Sequence, residues 1–143
     1  MKPSELPFYE VIRVRFSDVD SQGHLYFANY LVYADEALCQ FMEKLGYSAM
    51  NPQLAPCLIY MVNIQCDYLQ ECQANEHIRC HVGYQRLGSS SADVVFELKN
   101  DDGEMLAKGQ MTQVFVDKKT RKAAGIPTDL RAAIIANQPE LAD

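Results

Sequence analysis

Only one long stretch of this sequence is spaced for a helix, and nearly everything around it is spaced for strands. Apolar side chains recur at Leu31, Ala34, Leu38, Phe41, Met42 and Leu45, the three- and four-residue steps of a single helix face. Gly46 follows where a left-handed C-cap belongs. A helix over 28–45 has a length of about 27 Å. Ahead of it, FYEVIRVRF (8–16) alternates and is rich in β-branched and aromatic residues, which reads as a first strand. After a loop at NPQLAP (51–56), Leu58, Tyr60, Val62, Ile64, Cys66 and Tyr68 alternate over a long second strand. Ile78, Cys80, Val82 and Tyr84 mark a third, and Val94, Phe96 and Leu98 a fourth. NDDGE is a hairpin turn, since Asp-Gly tolerates positive φ, and it leads into a fifth strand over 104–117. A short helix near 127–136 closes the chain.

Strand, long helix, then four strands read as a hairpin succession implies an α+β fold with an antiparallel sheet covered by helix on one face. One helix leaves sheet edges and apolar surface unprotected, which predicts a homodimer or homotetramer. The 143 residues show no repeat, linker or low-complexity tract, so 1–143 reads as a single domain. With 13 basic against 19 acidic side chains, net charge −6, nucleic acid and anionic membranes are poor partners. MKPSELPFYE carries no apolar leader core, and no apolar run approaches the ~18 residues of a membrane span. Both point to the cytoplasm. The five cysteines contain no C-x-x-C pair, so they read as buried, reduced thiols in place of a disulfide framework or zinc site.

The chemistry concentrates in RFSDVDSQGHLYFANY (15–30). A serine nucleophile elbow is absent: GYSAM (46–50) lacks the second glycine and a preceding strand. No close histidine pair suggests a catalytic metal. Asp18, Asp20 and Gly23 start like a calcium loop, but Asn29 stands where the bidentate glutamate is required. Two readings remain for the carboxylates. They are turn and cap residues ahead of a helix, or one of them is a catalytic group. His24 likewise suits either a turn histidine bonded to backbone or a ligand contact.

DVDSQGHLYFANYLVYADEA resembles the signature D-x-D-x-x-G-[HIV]-[VL]-x-[YFHN]-x-x-Y of the hotdog-fold thioesterases, and is most similar to the 4-hydroxybenzoyl-CoA thioesterase branch. RLGSSS (86–91) is similar to that family's turn after the third strand, and GQMTQVFVDKKTRKAAGIP to its final strand and exit. The resemblance implies a hotdog fold, an antiparallel five-stranded sheet wrapped on one long central helix. It also implies an acyl-CoA thioesterase acting on acyl-CoA, or on an acyl group carried by acyl carrier protein, without metal or cofactor. In that family the second aspartate, here Asp20, is the catalytic carboxylate. The residue opening the helix, here Phe27, offers its backbone N–H to the thioester oxygen. Members often carry Tyr or His there; Phe27 keeps the amide but adds no polar side chain, which speaks against a polar acyl group such as hydroxybenzoyl. His24 and Tyr26 are candidate substrate contacts. Arg86, Ser89 and Ser90 are candidates for the phosphates of coenzyme A, with DKKTRK (117–122) as a second basic candidate.

The chemistry is consistent with that assignment. A thiolate leaves as the base of an acid with pKa near 8.5, so no dedicated acid is needed. One carboxylate acts as base or nucleophile, and a helix N-terminus supplies free N–H groups to the developing oxyanion. The runner-up is a non-catalytic hotdog module that binds acyl-CoA. A dehydratase reading needs a helix histidine, and none occurs between 28 and 45.

Overall fold

In the computed structural model, which describes residues 6–142, the long helix and five strands take the order expected from their spacing. β1 spans Phe8–Arg13, α1 Phe27–Lys44, β2 Leu58–Tyr68, β3 His77–Leu87, β4 Ser91–Lys99, β5 Met105–Val116 and α2 Thr128–Asn137. Residues 1–5, part of the segment read for a leader, lie outside the described residues.

The five strands form one antiparallel sheet in the order β1-β3-β4-β5-β2. The hairpin succession is therefore corrected at one point. β2 and β3 do not pair, and β2 joins β5 at the far edge. The 69–76 link crosses the end of the sheet because neighbouring backbone satisfies it on the way. Leu69 N–H bonds Leu106 O at 2.9 Å, Leu25 N–H bonds Cys72 O at 2.8 Å, and Asn75 N–H bonds Val14 O at 2.8 Å. β1 also stops short of the expected 16. Val14 is fully buried, but Phe16 to Asp18 form a 3-10 turn with Phe16 85% exposed.

α1 buries Tyr30, Tyr33, Ala34, Ala37, Leu38, Phe41 and Met42. Each large apolar side chain among them contributes roughly 1.5–3 kcal/mol on full burial. Phe41 stacks on Phe8 with ring centroids 5.3 Å apart. The helix ends as the glycine implies: Gly46 has φ +92°, its N–H bonds Glu43 O, and Tyr47 N–H bonds Met42 O, the two bonds of a Schellman cap. At the other end of the chain, Gln138 clasps β3, its side-chain amide bonding both Tyr84 N–H (2.8 Å) and Tyr84 O (2.7 Å).

The helix packs against β1, β3 and β4, so β2 runs beyond its cover. Tyr60, Val62, Ile64 and Tyr68 on that strand are all large apolar residues left exposed. The alternation also breaks within it: Met61 faces Gln113 but Asn63 faces Thr112, a bulge that leaves Val62 without a partner. Met61, Ile64, Cys66 and Tyr68 consequently turn toward the helix side, opposite Gln113, Met111, Gly109 and Ala107.

Gly109 sets how closely β2 approaches β5. A Cβ there would run into the Gln65 carbonyl oxygen and come within 2.6 Å of the buried Phe96 ring. Gly109→Ala is expected to destabilise the fold by about 2 kcal/mol through overpacking, read as a lowered denaturation midpoint. An unchanged midpoint would mean that β2 shifts freely on the sheet.

Candidate active site

Between β1 and α1 the chain folds into a small cradle built by its two aspartates. Asp18 does structural work. Its carbonyl oxygen accepts from Tyr26 N–H (3.0 Å) and from the Asn29 side-chain amide (2.9 Å). Its carboxylate accepts from the Tyr33 hydroxyl at 2.6 Å and pairs with Arg15 at 3.3 Å. Asp18 thereby ties the loop to the first two turns of the helix.

Asp20 closes the turn that follows. Its N–H donates to His24 O at 2.8 Å, and its carbonyl accepts from Gly23 N–H at 3.0 Å. Its Oδ1 accepts from Gln22 N–H at 2.8 Å and His24 N–H at 3.2 Å. Gly23 stands at φ +84°, a conformation glycine adopts without steric cost. The turn and the catalytic readings are compatible, since the turn engages Oδ1 and leaves the other carboxylate oxygen for a ligand.

α1 starts at Phe27 with Tyr26 as N-cap, and no side chain caps it; its first turn holds no acidic residue. The Asn29 N–H finds Tyr26 O at 2.8 Å. The Phe27 and Ala28 amides have no intrahelical acceptor by helix geometry. An uncapped start next to a carboxylate is an anion-stabilising corner with no side chain filling it.

Asp20, His24, Phe27, Tyr30, Tyr68 and Glu71 come together around one open cavity of about 350 Å³. His24 Nε2 lies 3.2 Å from Glu71 Oε2, so its side chain is held by Glu71 at the cavity wall while its backbone is the turn partner. Tyr30 donates to Gln70 O at 3.1 Å; burial pushes its hydroxyl far above the ordinary range, and it remains a neutral donor. Tyr68 meets the Phe27 ring edge-on at 6.2 Å and the Tyr30 ring at 5.2 Å. The sequence reading missed Tyr68 and Glu71. Alternation assigned Tyr68 to a strand face, but nothing local tells that this face meets a helix start forty residues earlier. Tyr26 does not line the cavity; its ring lies against Phe27 at 4.8 Å.

Arg86, Ser89 and Ser90 lie elsewhere in the protomer. The site borders the His77 end of β3, whereas 86–90 follows its other end, about 33 Å away along an eleven-residue strand. Arg86 donates to Asp93 at 2.8 Å and to Ser91 Oγ at 3.0 Å, and this hydrogen bond holds the Asp93 carboxyl below its usual range. The carbonyls of Ser89 and Ser90 accept from Ile126 and Phe115 N–H, leaving both hydroxyls to the surface.

Comparison with known proteins agrees with this architecture. The profile of the thioesterase-like superfamily matches residues 14–134. The uncharacterized protein YsmA of Bacillus subtilis is 30% identical over 81% of this chain and 77% of its own. A 1,4-dihydroxy-2-naphthoyl-CoA hydrolase of Thermosynechococcus vestitus is 26% identical across 100% of this chain and 98% of its own. Among solved structures, a thioesterase from Thermus thermophilus complexed with coenzyme A and zinc superposes with TM-score 0.82 at 23% identity, covering 97% of this chain and 98% of that one.

The Asp18 anchor is directly testable. Tyr33→Phe keeps the ring and removes the donor to a carboxylate that is largely buried, at a cost of about 1.5–3 kcal/mol. Chemical denaturation is expected to report that loss. A variant as stable as the parent would show that Arg15 alone holds Asp18.

Proposed function

The chain belongs to the thioesterase-like superfamily and is a hydrolase of acyl-CoA thioesters, and from that premise we propose that Asp20 and the start of α1 are its catalytic machinery. The observation that carries this reading is the pairing of a carboxylate with an uncapped helix N-terminus in one cavity. In the proposed reaction the thioester carbonyl lies against the Phe27 amide. Asp20 takes a proton from water as the water adds to the carbonyl carbon, or adds to that carbon itself, in which case water hydrolyses the acyl–Asp20 anhydride only after the thiolate has left. The C–S bond then breaks, coenzyme A departs as thiolate and gains a proton, and the acid is released. The amide and the helix dipole stabilise the oxyanion in both routes. His24 contacts the substrate from the cavity wall, and Tyr26 acts only through the Phe27 ring it lies against. The five free cysteines suit a reducing compartment, the cytoplasm.

We also propose that the working form is a homodimer joined through β2. The strand is an exposed apolar edge of a kind that soluble proteins cover. Asp20 borders the Tyr68 end of β2, while the row Ser91, Val114, Tyr60 ties the 86–90 turn to its opposite end. A two-fold antiparallel pairing of the β2 edges brings those opposite ends together. Each Asp20 cavity would then face the second copy's Arg86, Ser89 and Ser90, residues that lie about 33 Å away within one protomer. That arrangement suits coenzyme A, with its phosphates on the second copy.

Asp20→Asn is expected to fold normally and to lower kcat on the order of 10² or more, with Asp18→Asn affecting turnover far less. Equal losses in thiol release from both would reverse the assignment of the two carboxylates. Phe27→Pro removes the N–H at a position where proline suits the helix, and should cost roughly 3 kcal/mol of transition-state stabilisation. Phe27→Leu keeps the amide and is expected to remain active. A folded proline variant with parental turnover would move the oxyanion donor elsewhere. For the dimer, Val62→Asp is expected to sediment as a monomer and to lose kcat/KM with it. An active monomeric parent would rule out the shared site.

A further inference from the structure

The cavity at the start of α1 holds more proton chemistry than one carboxylate. Asp20, His24, Tyr30, Tyr68 and Glu71 all line it. The two tyrosines are engaged elsewhere. The Tyr30 hydroxyl donates to Gln70 O at 3.1 Å, and the Tyr68 hydroxyl is hydrogen-bonded to the Cys66 sulfur. Burial pushes both hydroxyls above their ordinary range, so neither serves as a base. Asp20 commits Oδ1 to the Gln22 and His24 amides at 2.8 and 3.2 Å, which leaves Oδ2. His24 sets Nε2 3.2 Å from Glu71 Oε2, which leaves Nδ1.

The Glu71 contact decides what that nitrogen can do. A carboxylate beside Nε2 favours the tautomer with its proton there, so the lone pair resides on Nδ1. The same carboxylate stabilises the imidazolium that forms when Nδ1 takes up a proton. The backbone places the pair beside the nucleophile. His24 O accepts from Asp20 N–H at 2.8 Å, and His24 forms an isolated antiparallel bridge with Gln73. That bridge brings the 69–76 link, and Glu71 with it, against the Asp20 turn. The Glu71 side chain stays 64% exposed, so a proton gained by the pair has a path to solvent.

Thioester hydrolysis leaves one proton without an owner. The thiolate departs unaided, since its conjugate acid has a pKa near 8.5. The oxyanion falls to the Phe27 amide. The attacking water still has to lose a proton. With Asp20 as the base, His24 and Glu71 would have no part. With Asp20 as the nucleophile, Oδ2 becomes the bridging oxygen of an anhydride and can no longer accept a proton. The water that cleaves the anhydride then needs a second base in the same cavity. Imidazole is a stronger base than a carboxylate by about two pKa units, which favours His24 over Glu71 for that task.

Resting on the hydrolase reading above, we propose that Asp20 is the nucleophile and that His24, oriented by Glu71, is the general base of the second step. Asp20 Oδ2 bonds to the thioester carbonyl carbon, and the C–S bond breaks with its electron pair on sulfur. Water then adds to the acyl carbon of the acyl–Asp20 anhydride and passes one proton to His24 Nδ1. The bond from the acyl carbon to Oδ2 breaks, its electron pair returns to the Asp20 carboxylate, and the acid departs. The imidazolium, beside Glu71, gives its proton to solvent. His24 is thus a catalytic residue and Glu71 a positioning residue.

Pre-steady-state thiol release tests this on the full chain, with the fastest substrate of a panel of acetyl-, decanoyl- and benzoyl-CoA. His24→Asn is expected to fold and to lower kcat on the order of 10². It should release a rapid burst of about one thiol per Asp20 before the slow phase. Quenched in the slow phase, it should carry the acyl mass on the peptide containing Asp20. Free imidazole is expected to raise the turnover of His24→Ala at least tenfold. Glu71→Gln should lower kcat at least tenfold with KM little changed, and Glu71→Asp should recover most of that loss. A folded His24→Asn with parental kcat, or slow turnover with neither burst nor acyl mass, would overturn the proposal while leaving thioester hydrolysis standing. Failure of the parent on every thioester would instead remove the hydrolase reading and this one with it.

Discussion

A helix is narrower than a five-stranded sheet, and most of this molecule's organisation follows from that mismatch. With side chains an α-helix is about 10–12 Å across, whereas four inter-strand gaps of about 4.8 Å span roughly 19 Å. α1 settles over β1, β3 and β4, where Phe8, Ile78, Val82, Val94 and Phe96 meet its buried face. The β2 margin is left bare on its helix side and unpaired along its edge. The proposed catalytic corner and the surface available to a second copy both lie on that margin. They are adjacent because one helix can cover only part of the sheet.

The two aspartates two residues apart illustrate how backbone context divides identical side chains. Asp18 sits in a 3-10 turn beneath the helix, where Tyr33, Asn29 and Tyr26 can all reach it. Its hydrogen-bonding capacity is absorbed in holding the loop to the helix. Asp20 lies one bridge further on, between the Val19–Leu25 pairing and the cavity, and spends one oxygen on the turn. The helix start above it has no cap. A serine or aspartate at position 26 would stabilise the helix by about 1 kcal/mol, and it would also compete for the amides that the proposed reaction requires. Tyr26 leaves them open at some expense in local stability.

The same margin carries the edge of the proposed dimer. Ile64 and Tyr68 face the helix side of the sheet, while the backbone edge beside them faces outward. A second copy paired along β2 would shield these apolar side chains from water. The bulge at Val62 contributes to this surface, since it turns Met61 and Ile64 to the same face.

Much of this was legible in the residues themselves. The period of α1, its glycine stop, the number of strands and the Asp-Gly hairpin are local properties, and local sterics determine them. The D-x-D-x-x-G stretch offered Asp20 and Phe27 as candidates, through the family it resembles, because the turn, the carboxylate and the helix start are contiguous in the chain. Other features depended on the tertiary fold. Pairing of β2 with β5 instead of β3 is decided by what the 69–76 link can bond as it crosses the sheet end, and no strand's own pattern records it. Tyr68 and Glu71 join the site only through that pairing. The distance between Asp20 and the 86–90 turn is likewise a property of strand direction. Periodicity tells which face a side chain occupies, but which surface lies opposite is settled by long-range hydrogen bonding and packing, whose partners are far apart along the chain.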